Sequence, residues 1–203
     1  MAEATYEAGY GSSSRVYEKA DRQLGMTPAT YGRGGKGMRI AYGLAQSSLG
    51  RVLIAATERG ISAVYLGDDD KVLEAALHEE YPAAETRRYD AALGPWLAAV
   101  LKIVEGKKPA GDLPLDVLAT AFQWRVWQAL REIPRGETRS YGEVARSIGE
   151  PTAARAVARA CATNRVSVVI PCHRVVASDG STSGYRWGVK RKKALLQRES
   201  LQR

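Results

Sequence analysis

Three short segments rich in Val, Ile and Tyr follow one another early in the sequence, and they constrain the fold more than any other feature. They are Met38–Ala45, Val52–Thr57 and Ile61–Leu66, and the turn signals Leu49-Gly50 and Arg59-Gly60 separate them. Connections this short join antiparallel strands, because parallel strands need a crossover of a dozen or more residues. The sequence therefore predicts a small antiparallel sheet.

Two helices are predicted beside this sheet. Asp68, Asp69 and Asp70 place acidic charge at a helix N-terminus, where the helix dipole favours it, and apolar residues follow with helical spacing. A second helix is predicted over Tyr89–Glu105, before the break at Gly106-Lys107-Lys108-Pro109. We expect residues 38–115 to form a supporting lobe, because no group of residues within it suggests chemistry.

After Pro114 the pattern becomes helical. Thr120 is predicted to cap a helix with apolar residues on one face, and short helices are expected near Tyr141–Ile148 and Thr152–Asn164. Three short helices joined by tight turns are typical of a helix-turn-helix unit. The last one is rich in alanine and carries the long side chains of Arg155 and Arg159. The predicted fold is α+β: a sheet-and-helix lobe followed by a helical lobe over residues 116–203.

Residues 1–37 are predicted to stand apart from these two lobes. The first 34 residues have the pattern of helical pieces, and they are too few to build an independent core. The basic, glycine-rich stretch from Gly32 to Gly37 has no periodicity and is typical of a linker.

The basic charge of the chain is concentrated at its C-terminal end. The whole chain has a net charge of +8, whereas residues 155–203 alone carry 11 basic and two acidic side chains. This distribution predicts a polyanionic partner, with nucleic acid favoured over a membrane because no amphipathic anchor accompanies the charge. We expect a cytoplasmic protein, because the sequence has no signal-peptide pattern and no apolar run of about 20 residues.

The two cysteines, Cys161 and Cys172, are expected to remain thiols in a reducing compartment. A short β-branched strand is predicted over Val166–Ile170, and it leads directly to Pro171-Cys172-His173. We expect the neighbouring histidine and the nearby arginines to lower the pKa of the Cys172 thiol and to make it a nucleophile. Cys161 lacks such neighbours and is predicted to pack in the core.

Two other roles for Cys172 fit the sequence poorly. A papain-like hydrolase needs a distant histidine and an asparagine that orients it, whereas His78, the other histidine, lies in a charged helix. A structural zinc site needs four ligands, and the two cysteines with His173 offer no paired spacing. The sequence also lacks a nucleotide or flavin motif, so neither a metal nor a cofactor is expected.

The hexapeptide Pro-Cys-His-Arg-Val-Val at residues 171–176 resembles the O6-alkylguanine-DNA alkyltransferases. Asn164 lies eight residues before the cysteine, and Ser183-Gly184-Tyr185 follow it, so the resemblance extends over about residues 38–203. Residues 1–34 resemble the end of an AraC-type DNA-binding module. The same order of modules occurs in bacterial adaptive-response regulators, whose C-terminal part is the alkyltransferase.

The resemblance implies a function and a set of reacting residues. Cys172 would accept the alkyl group from O6 of guanine irreversibly, once per molecule and without a cofactor. His173 would deprotonate Cys172 through a bridging water, and Glu199 would orient His173. Glu199 follows Leu195 by four residues, which independently places it on the apolar face of the last helix.

The remaining implied residues surround the DNA and the base. Tyr141 would neutralise the departing guanine and contact the DNA backbone, and Asn164 would brace the active-site turn. Val175 and Tyr185 would contact the flipped base. Arg155 would fill the vacated stack, with Arg159 on the same DNA-binding helix. The implied partner is double-stranded DNA containing O6-alkylguanine, and the protein is expected to be a monomer.

Two alternatives remain open from the sequence. A regulator could recognise the lesion without repairing it, although binding alone would not need Cys172, His173 and Glu199. Residues 1–34 could also direct binding to a specific DNA sequence.

Overall fold

The first lobe is an open sheet with one helix on each face. The structure, a computed structural model, describes residues 33–182 and 184–201, so the interpretations of residues 1–32 and of Ser183 lie outside the described residues. The elements of this lobe are β1 (Arg39–Ser47), β2 (Gly50–Thr57), β3 (Gly60–Gly67), α1 (Asp70–Glu80), β4 (Glu85–Arg88) and α2 (Asp90–Val104). All three predicted strands and both predicted helices are present.

The strand order of the sheet is β3-β2-β1-β4. The β1–β2 and β2–β3 pairs are antiparallel, as predicted, whereas β4 pairs with β1 in parallel. Strand β4 was not predicted from the sequence, because its residues Glu-Thr-Arg-Arg include no apolar side chain. Charged residues suit an edge strand, since they discourage further pairing at its open side.

Strand β2 is buried on both faces, and this makes the sheet the middle of three layers. Leu53 and Ala55 pack in one cluster with the apolar residues of α1. Val52 and Ile54 pack in a second cluster, which contains the apolar face of α2 and the core of the second lobe. Successive residues of a strand point to opposite faces, so each face of β2 belongs to a different core.

The second lobe consists of short helices and two short strands. Its elements are α3 (Ala121–Glu132), β5 (Arg139–Ser140), α4 (Tyr141–Ser147), α5 (Ala154–Ala162), a 3₁₀ turn (Cys172–Arg174), β6 (Val175–Val176) and α6 (Val189–Ser200). The three-helix pattern is therefore confirmed, and the fold is α+β. No helix in the described part of the chain has both the length and the apolar character needed to cross a membrane.

Side-chain caps and one buried indole fix the helices of the second lobe. Thr120 and Gln123 form a reciprocal capping box at the start of α3, and Ser140 and Glu143 form another at the start of α4. Trp127 of α3 is fully buried, and its Nε1 donates to the carbonyl oxygen of Ala160 in α5 at 3.0 Å. The parallel pairing of β5 with β6 places the start of α4 beside the segment after Cys172.

Residues 33–37, predicted as part of a linker, pack against the first lobe. The amide of Ala83 donates to the carbonyl oxygen of Gly34 at 2.8 Å, and the amide of Glu85 donates to the carbonyl oxygen of Met38 at 2.9 Å. Gly35 is buried. This stretch therefore continues the first lobe toward the N-terminus.

The two lobes are joined through β3. The amide of Val64 donates to the carbonyl oxygen of Arg165 at 2.8 Å, just before the segment that leads to Cys172. At the start of β3, the amide of Ile61 donates to the carbonyl oxygen of Pro114 at 2.9 Å. Strand β3 thus contacts both the connection between the lobes and the loop of the second lobe.

Gly60→Ala is predicted to destabilise the protein by about 1–3 kcal/mol. Gly60 has a φ of +157°, and a Cβ atom there would lie 2.6 Å from the carbonyl oxygen of Pro114. Urea denaturation measures the change in the free energy of unfolding. Gly111→Ala is the control, because a Cβ at Gly111 meets nothing within 4 Å. Equal stabilities of the two variants would contradict the prediction.

Candidate active site

Cys172 begins a 3₁₀ turn directly after Pro171, and the residue is only 6% exposed. The preceding residues do not form the predicted strand. They make isolated bridges, Val64 with Val166 and Ser167 with Ile170, and Val168 has a left-handed φ of +66°. The prediction of a strand over Val166–Ile170 is therefore wrong, and a compact loop positions the cysteine.

Asn164 explains why this β-branched segment folds back on itself. Its Oδ1 accepts from the amide of Val166 at 3.0 Å, and its Nδ2 donates to the carbonyl oxygen of Ile170 at 2.9 Å. One side chain therefore bonds to both ends of the segment and overrides its strand propensity. Asn164 Nδ2 also lies 3.3 Å from Cys172 Sγ, so the same amide contacts the sulfur.

His173, Arg174 and Glu199 form a buried cluster beside the thiol. His173 Nε2 lies 3.1 Å from Glu199 Oε1, and Arg174 donates to both carboxylate oxygens at 2.8 and 2.9 Å. Arg174 also donates to the carbonyl oxygen of Ile133 at 2.6 Å. Burial alone would raise the pKa of Glu199, but hydrogen bonds from His173 and Arg174 hold it well below its usual range. Glu199 is therefore a carboxylate at neutral pH.

The Glu199 carboxylate determines which nitrogen of His173 carries the proton. A carboxylate only accepts hydrogen bonds, so Nε2 must carry the proton and Nδ1 must carry the lone pair. His173 Nδ1 is buried and has no hydrogen-bond partner among the described residues. Burial lowers the pKa of His173 below 6.5, although Glu199 opposes this shift. His173 is therefore neutral at pH 7, with a free lone pair that can accept a proton.

The pKa of the Cys172 thiol is shifted in the opposite direction from the sequence prediction. Burial raises this pKa, and the hydrogen bond from Asn164 and the charge of Lys192 offset the rise in part. The prediction failed because Arg174 is neutralised by Glu199, and Arg155 and Arg159 are exposed on α5. Cys172 is therefore a thiol at rest, and a nearby base is needed to generate the thiolate.

Two tyrosines lie close to the two cysteines. Burial and then the neighbouring Cys161 and Cys172 raise the pKa of Tyr141, so its hydroxyl remains a hydrogen-bond donor. The hydroxyl of Tyr185 is buried without a partner among the described residues, and burial raises its pKa well above the usual value. Both hydroxyls are thus available to donate to a bound molecule.

Val175 and the α5 arginines differ in their exposure. Val175 is fully buried, and its carbonyl oxygen accepts from Lys192 Nζ at 2.5 Å. Arg155 and Arg159 are exposed, and neither makes an ion pair with a described residue. The structure therefore groups Cys172, His173, Glu199, Asn164, Tyr141, Tyr185 and Val175, and it leaves Arg155 and Arg159 on an accessible helix.

Two buried cations of the site were not predicted from the sequence. One is Arg174, which stands inside the hexapeptide, beside His173. Lys192 is fully buried, and it precedes Leu195 by three residues and Glu199 by seven. This helical spacing could have placed it on the same face of α6.

The described residues include no group of three or more His, Cys, Asp or Glu side chains that could hold a metal ion. Cys161 is half-buried, and burial raises the pKa of its thiol strongly. Its surroundings therefore favour an unreactive thiol.

Comparison with known proteins matches both lobes to family models. Residues 40–117 match the ribonuclease-like domain of 6-O-methylguanine DNA methyltransferase, and residues 121–201 match its DNA-binding domain. The inducible methylated-DNA–protein-cysteine methyltransferase of Bacillus subtilis is 37% identical over 72% of this chain and 82% of its own length.

A longer relative and a solved structure extend this similarity. The bifunctional transcriptional activator/DNA repair enzyme Ada of Escherichia coli is 49% identical over 95% of this chain. The chain spans only about half the length of that relative and of the Salmonella typhimurium regulatory protein ada. The Mycobacterium tuberculosis OGT in complex with DNA has a TM-score of 0.65 and 32% identity, and the match covers 79% of this chain and 93% of that one.

Proposed function

The chain belongs to the 6-O-methylguanine DNA methyltransferase family, and we propose that it repairs DNA by transferring the alkyl group of O6-alkylguanine to Cys172. One observation carries the proposal: a buried thiol, the amide of Asn164 and the His173–Glu199 pair meet at a single turn. The substrate is double-stranded DNA that contains O6-alkylguanine.

The reaction is a displacement at the alkyl carbon. The lone pair on His173 Nδ1 accepts the thiol proton of Cys172, directly or through a water, and Glu199 stabilises the resulting imidazolium. The sulfur–carbon bond then forms as the carbon–O6 bond breaks. The departing guanine gains a proton in place of the alkyl group. We assign this donation to the hydroxyl of Tyr141, which burial keeps protonated, and the proton held by His173 then restores that hydroxyl.

Each protein molecule reacts once. The product at Cys172 is a thioether, and a second thiol such as Cys161 does not displace an alkyl group bound through carbon to sulfur. The displacement needs neither a redox step nor an activated group beyond the alkylated base, so we propose that no cofactor takes part.

The DNA-binding side of the function rests on α5. O6 of guanine is inaccessible inside a stacked duplex, so the nucleotide must leave the stack, at a cost of a few kcal/mol. We propose that Arg155 occupies the vacated space and that Arg159 contacts the DNA backbone. Val175, through its backbone, and Tyr185 would then contact the extruded base near Cys172.

Arg155→Ala is expected to slow transfer from duplex DNA by about tenfold or more at saturating DNA. The side chain that replaces the extruded base is lost, and about 1.4 kcal/mol corresponds to a factor of ten. Arg159→Ala is the matched control, because a backbone contact contributes to affinity and its loss should leave the saturated rate unchanged. Single-turnover kinetics measure both rates. Equal saturated rates for the two variants would contradict the role of Arg155.

The transfer rate is expected to fall in acidic solution with a midpoint below about pH 6.5, the ordinary value for a histidine. The competent state contains neutral His173, whose pKa burial has lowered, so protonation inactivates it only below the ordinary histidine range. Single-turnover rates between pH 5 and pH 8 test this profile. An acid limb with its midpoint above pH 6.5 would contradict it, and His173→Gln should lower the plateau and remove that limb.

We also propose separate roles for the two lobes and a cytoplasmic location for the protein. Residues 38–115 support the second lobe through β3, while residues 116–203 carry the thiol and the DNA-binding helices. Cys172 must remain reduced until it reacts, and a reducing cytoplasm would keep it so.

A stoichiometric assay tests the proposed function. Excess duplex DNA with one O6-methylguanine is mixed with the protein, and repaired DNA is measured over time. The expected yield is one repaired base per protein molecule, followed by no further reaction. Continued turnover, or no repair at all, would overturn the proposal.

A further inference from the structure

The C-terminal end of α2, in the first lobe, lies against the second lobe. The amide of Gly106 donates to the carbonyl oxygen of Ile103 at 2.9 Å. The amide of Lys107 donates to that of Lys102 at 2.8 Å, which completes the Schellman pattern that ends a helix. Gly106 has a left-handed φ of +75°, and a Cβ atom there would lie 2.9 Å from the carbonyl oxygen of Arg198 in α6. The end of α2 and the last turn of α6 therefore approach each other backbone to backbone.

Two arginines of the second lobe bond to this helix end. Arg198 Nη1 donates to the carbonyl oxygen of Val104 at 3.0 Å. Arg135 Nη2 donates to the carbonyl oxygen of Gly106. The last carbonyl groups of a helix carry its partial negative charge, so cationic donors are favoured there. The end of α2 thus binds two separate segments of the second lobe, the turn after α3 and the last turn of α6.

Both segments lead directly to Glu199. Arg198 is the residue before Glu199 in α6. Arg135 is the residue before Gly136, and the amide of Gly136 donates to Glu199 Oε2 at 3.3 Å. The other oxygen of the same carboxylate lies 3.1 Å from His173 Nε2. The carboxylate that pairs with His173 is therefore supported from two sides, and both supports are bonded to the end of α2.

We propose that Arg135 is a positioning residue for the reaction, because it binds the turn after α3 to the end of α2 and this turn holds Glu199 against His173. Arg198 binds the last turn of α6 to the same helix end. The proposal rests on the proposed function in one respect, namely that His173 takes the proton of Cys172. It gives the first lobe a role in the chemistry, since α2 then supports the carboxylate that stabilises the imidazolium.

Loss of this support differs from a general loss of structure in its effect on the Cys172 thiol. When the carboxylate turns away from His173, the imidazolium is less stable, less thiolate forms, and the sulfur reacts more slowly with an electrophile. When the second lobe merely loosens, the buried thiol becomes accessible and reacts faster. The rate at which Cys172 reacts with a small reagent therefore separates the two effects by its direction.

The experiment measures the labelling of Cys172 by iodoacetamide at pH 7 in protein without DNA. Trypsin cleaves after Arg165, so mass spectrometry follows Cys161 and Cys172 on separate peptides. Arg135→Met retains an unbranched stem but removes the guanidinium. It is expected to slow the labelling of Cys172 by about two- to tenfold, as for the loss of one hydrogen bond. Arg135→Lys, which retains a cationic donor, should restore most of the rate.

Arg131→Met is the matched control. Arg131 is exposed near the end of α3, four residues before Arg135, and its partner Asp112 is almost fully exposed. An exposed ion pair contributes little to stability, so this variant loses the same charge while the turn stays in place. Its labelling rate should equal that of the parent. Thermal melts show whether each variant is folded at the assay temperature.

A second background shows whether the effect passes through Glu199 and His173. In His173→Gln the base is absent, so Glu199 has no imidazolium to stabilise, and the addition of Arg135→Met should cause no further slowing. Arg198→Met removes the other support. It should slow labelling in the parent background and have no effect in the His173→Gln background.

Unchanged or faster labelling of Cys172 in folded Arg135→Met would overturn the proposal. Equal slowing in Arg131→Met would do so as well, and so would equal slowing by Arg135→Met in the His173→Gln background. Where Arg135→Met does not fold, Arg198→Met decides by the same criteria.

The outcome is separable from that of the proposed function, because the assay contains no DNA. Slower labelling in Arg135→Met together with no alkyl transfer from DNA would support the role of Arg135 and refute the repair function. Stoichiometric transfer together with an unchanged labelling rate would do the reverse.

Discussion

Cys172→Ser is expected to transfer no measurable alkyl group and yet to bind DNA with nearly the affinity of the parent protein. A serine hydroxyl has a far higher pKa than a thiol, so neutral His173 does not generate a comparable nucleophile from it. The DNA contacts are expected from Arg155 and Arg159, which are exposed on α5, whereas Cys172 is buried in the 3₁₀ turn. Single-turnover repair and fluorescence anisotropy with the same duplex measure the two properties.

The matched control is Cys161→Ser, which should retain full transfer because the Cys161 thiol is not the acceptor. A loss of affinity above about tenfold in Cys172→Ser, or roughly 1.4 kcal/mol, would contradict the separation of binding from chemistry. The affinity of all three proteins should fall as salt rises, since phosphate contacts release counterions.

Glu199→Gln is expected to have the largest effect on stability, a loss of about 3–5 kcal/mol. The carboxylate neutralises Arg174, which is 8% exposed, and without it that guanidinium becomes an unpaired buried charge. Glu199 also accepts from the amide of Gly136 at 3.3 Å, so the turn after α3 loses a contact as well.

The same substitution is expected to slow transfer by about 100-fold or more in the molecules that remain folded, because His173 loses the group that fixes its proton on Nε2. Urea denaturation gives the stability, and single-turnover kinetics at low temperature give the rate of the folded protein. Glu132→Gln, on the exposed surface of α3, is the control for charge loss. Full transfer by folded Glu199→Gln would show that Glu199 stabilises the fold but has no role in alkyl transfer.

Local sequence rules were sufficient for most of the secondary structure. The acidic cluster before α1 was assigned correctly, and Asp69 caps this helix by accepting from the amide of Val72 at 3.0 Å. Thr120 caps α3 as predicted. These helix caps depend on residues three apart in sequence, so the sequence alone is enough to predict them.

The elements that were missed depend on contacts between distant residues. Strand β4 forms because it pairs with the open edge of β1, and the residues Glu85–Arg88 themselves have no strand pattern. The segment Val166–Ile170 has strand composition, but the Asn164 side chain folds it into a loop. The burial that raises the pKa of Cys172 likewise comes from the packing of several elements.

The basic C-terminal segment shows why charge counts overstate a binding surface. Several of its cations have partners inside the protein: Arg165 pairs with Glu80, Arg174 with Glu199 and Arg191 with Asp68. Lys192 is buried against the carbonyl oxygen of Val175. The polyanion prediction therefore rests on fewer residues than the count suggested, with Arg155 and Arg159 as the exposed pair on α5.

Locating the transferred methyl group tests whether Cys172 is its acceptor. The protein is reacted with duplex DNA containing O6-methylguanine, digested, and analysed by peptide mass spectrometry. The expected result is a gain of about 14 Da, one methyl group in place of a hydrogen, on the peptide that carries Cys172, with Cys161 unmodified and one methyl group per protein molecule. A methyl group on Cys161, or repaired DNA without any methylated peptide, would contradict it.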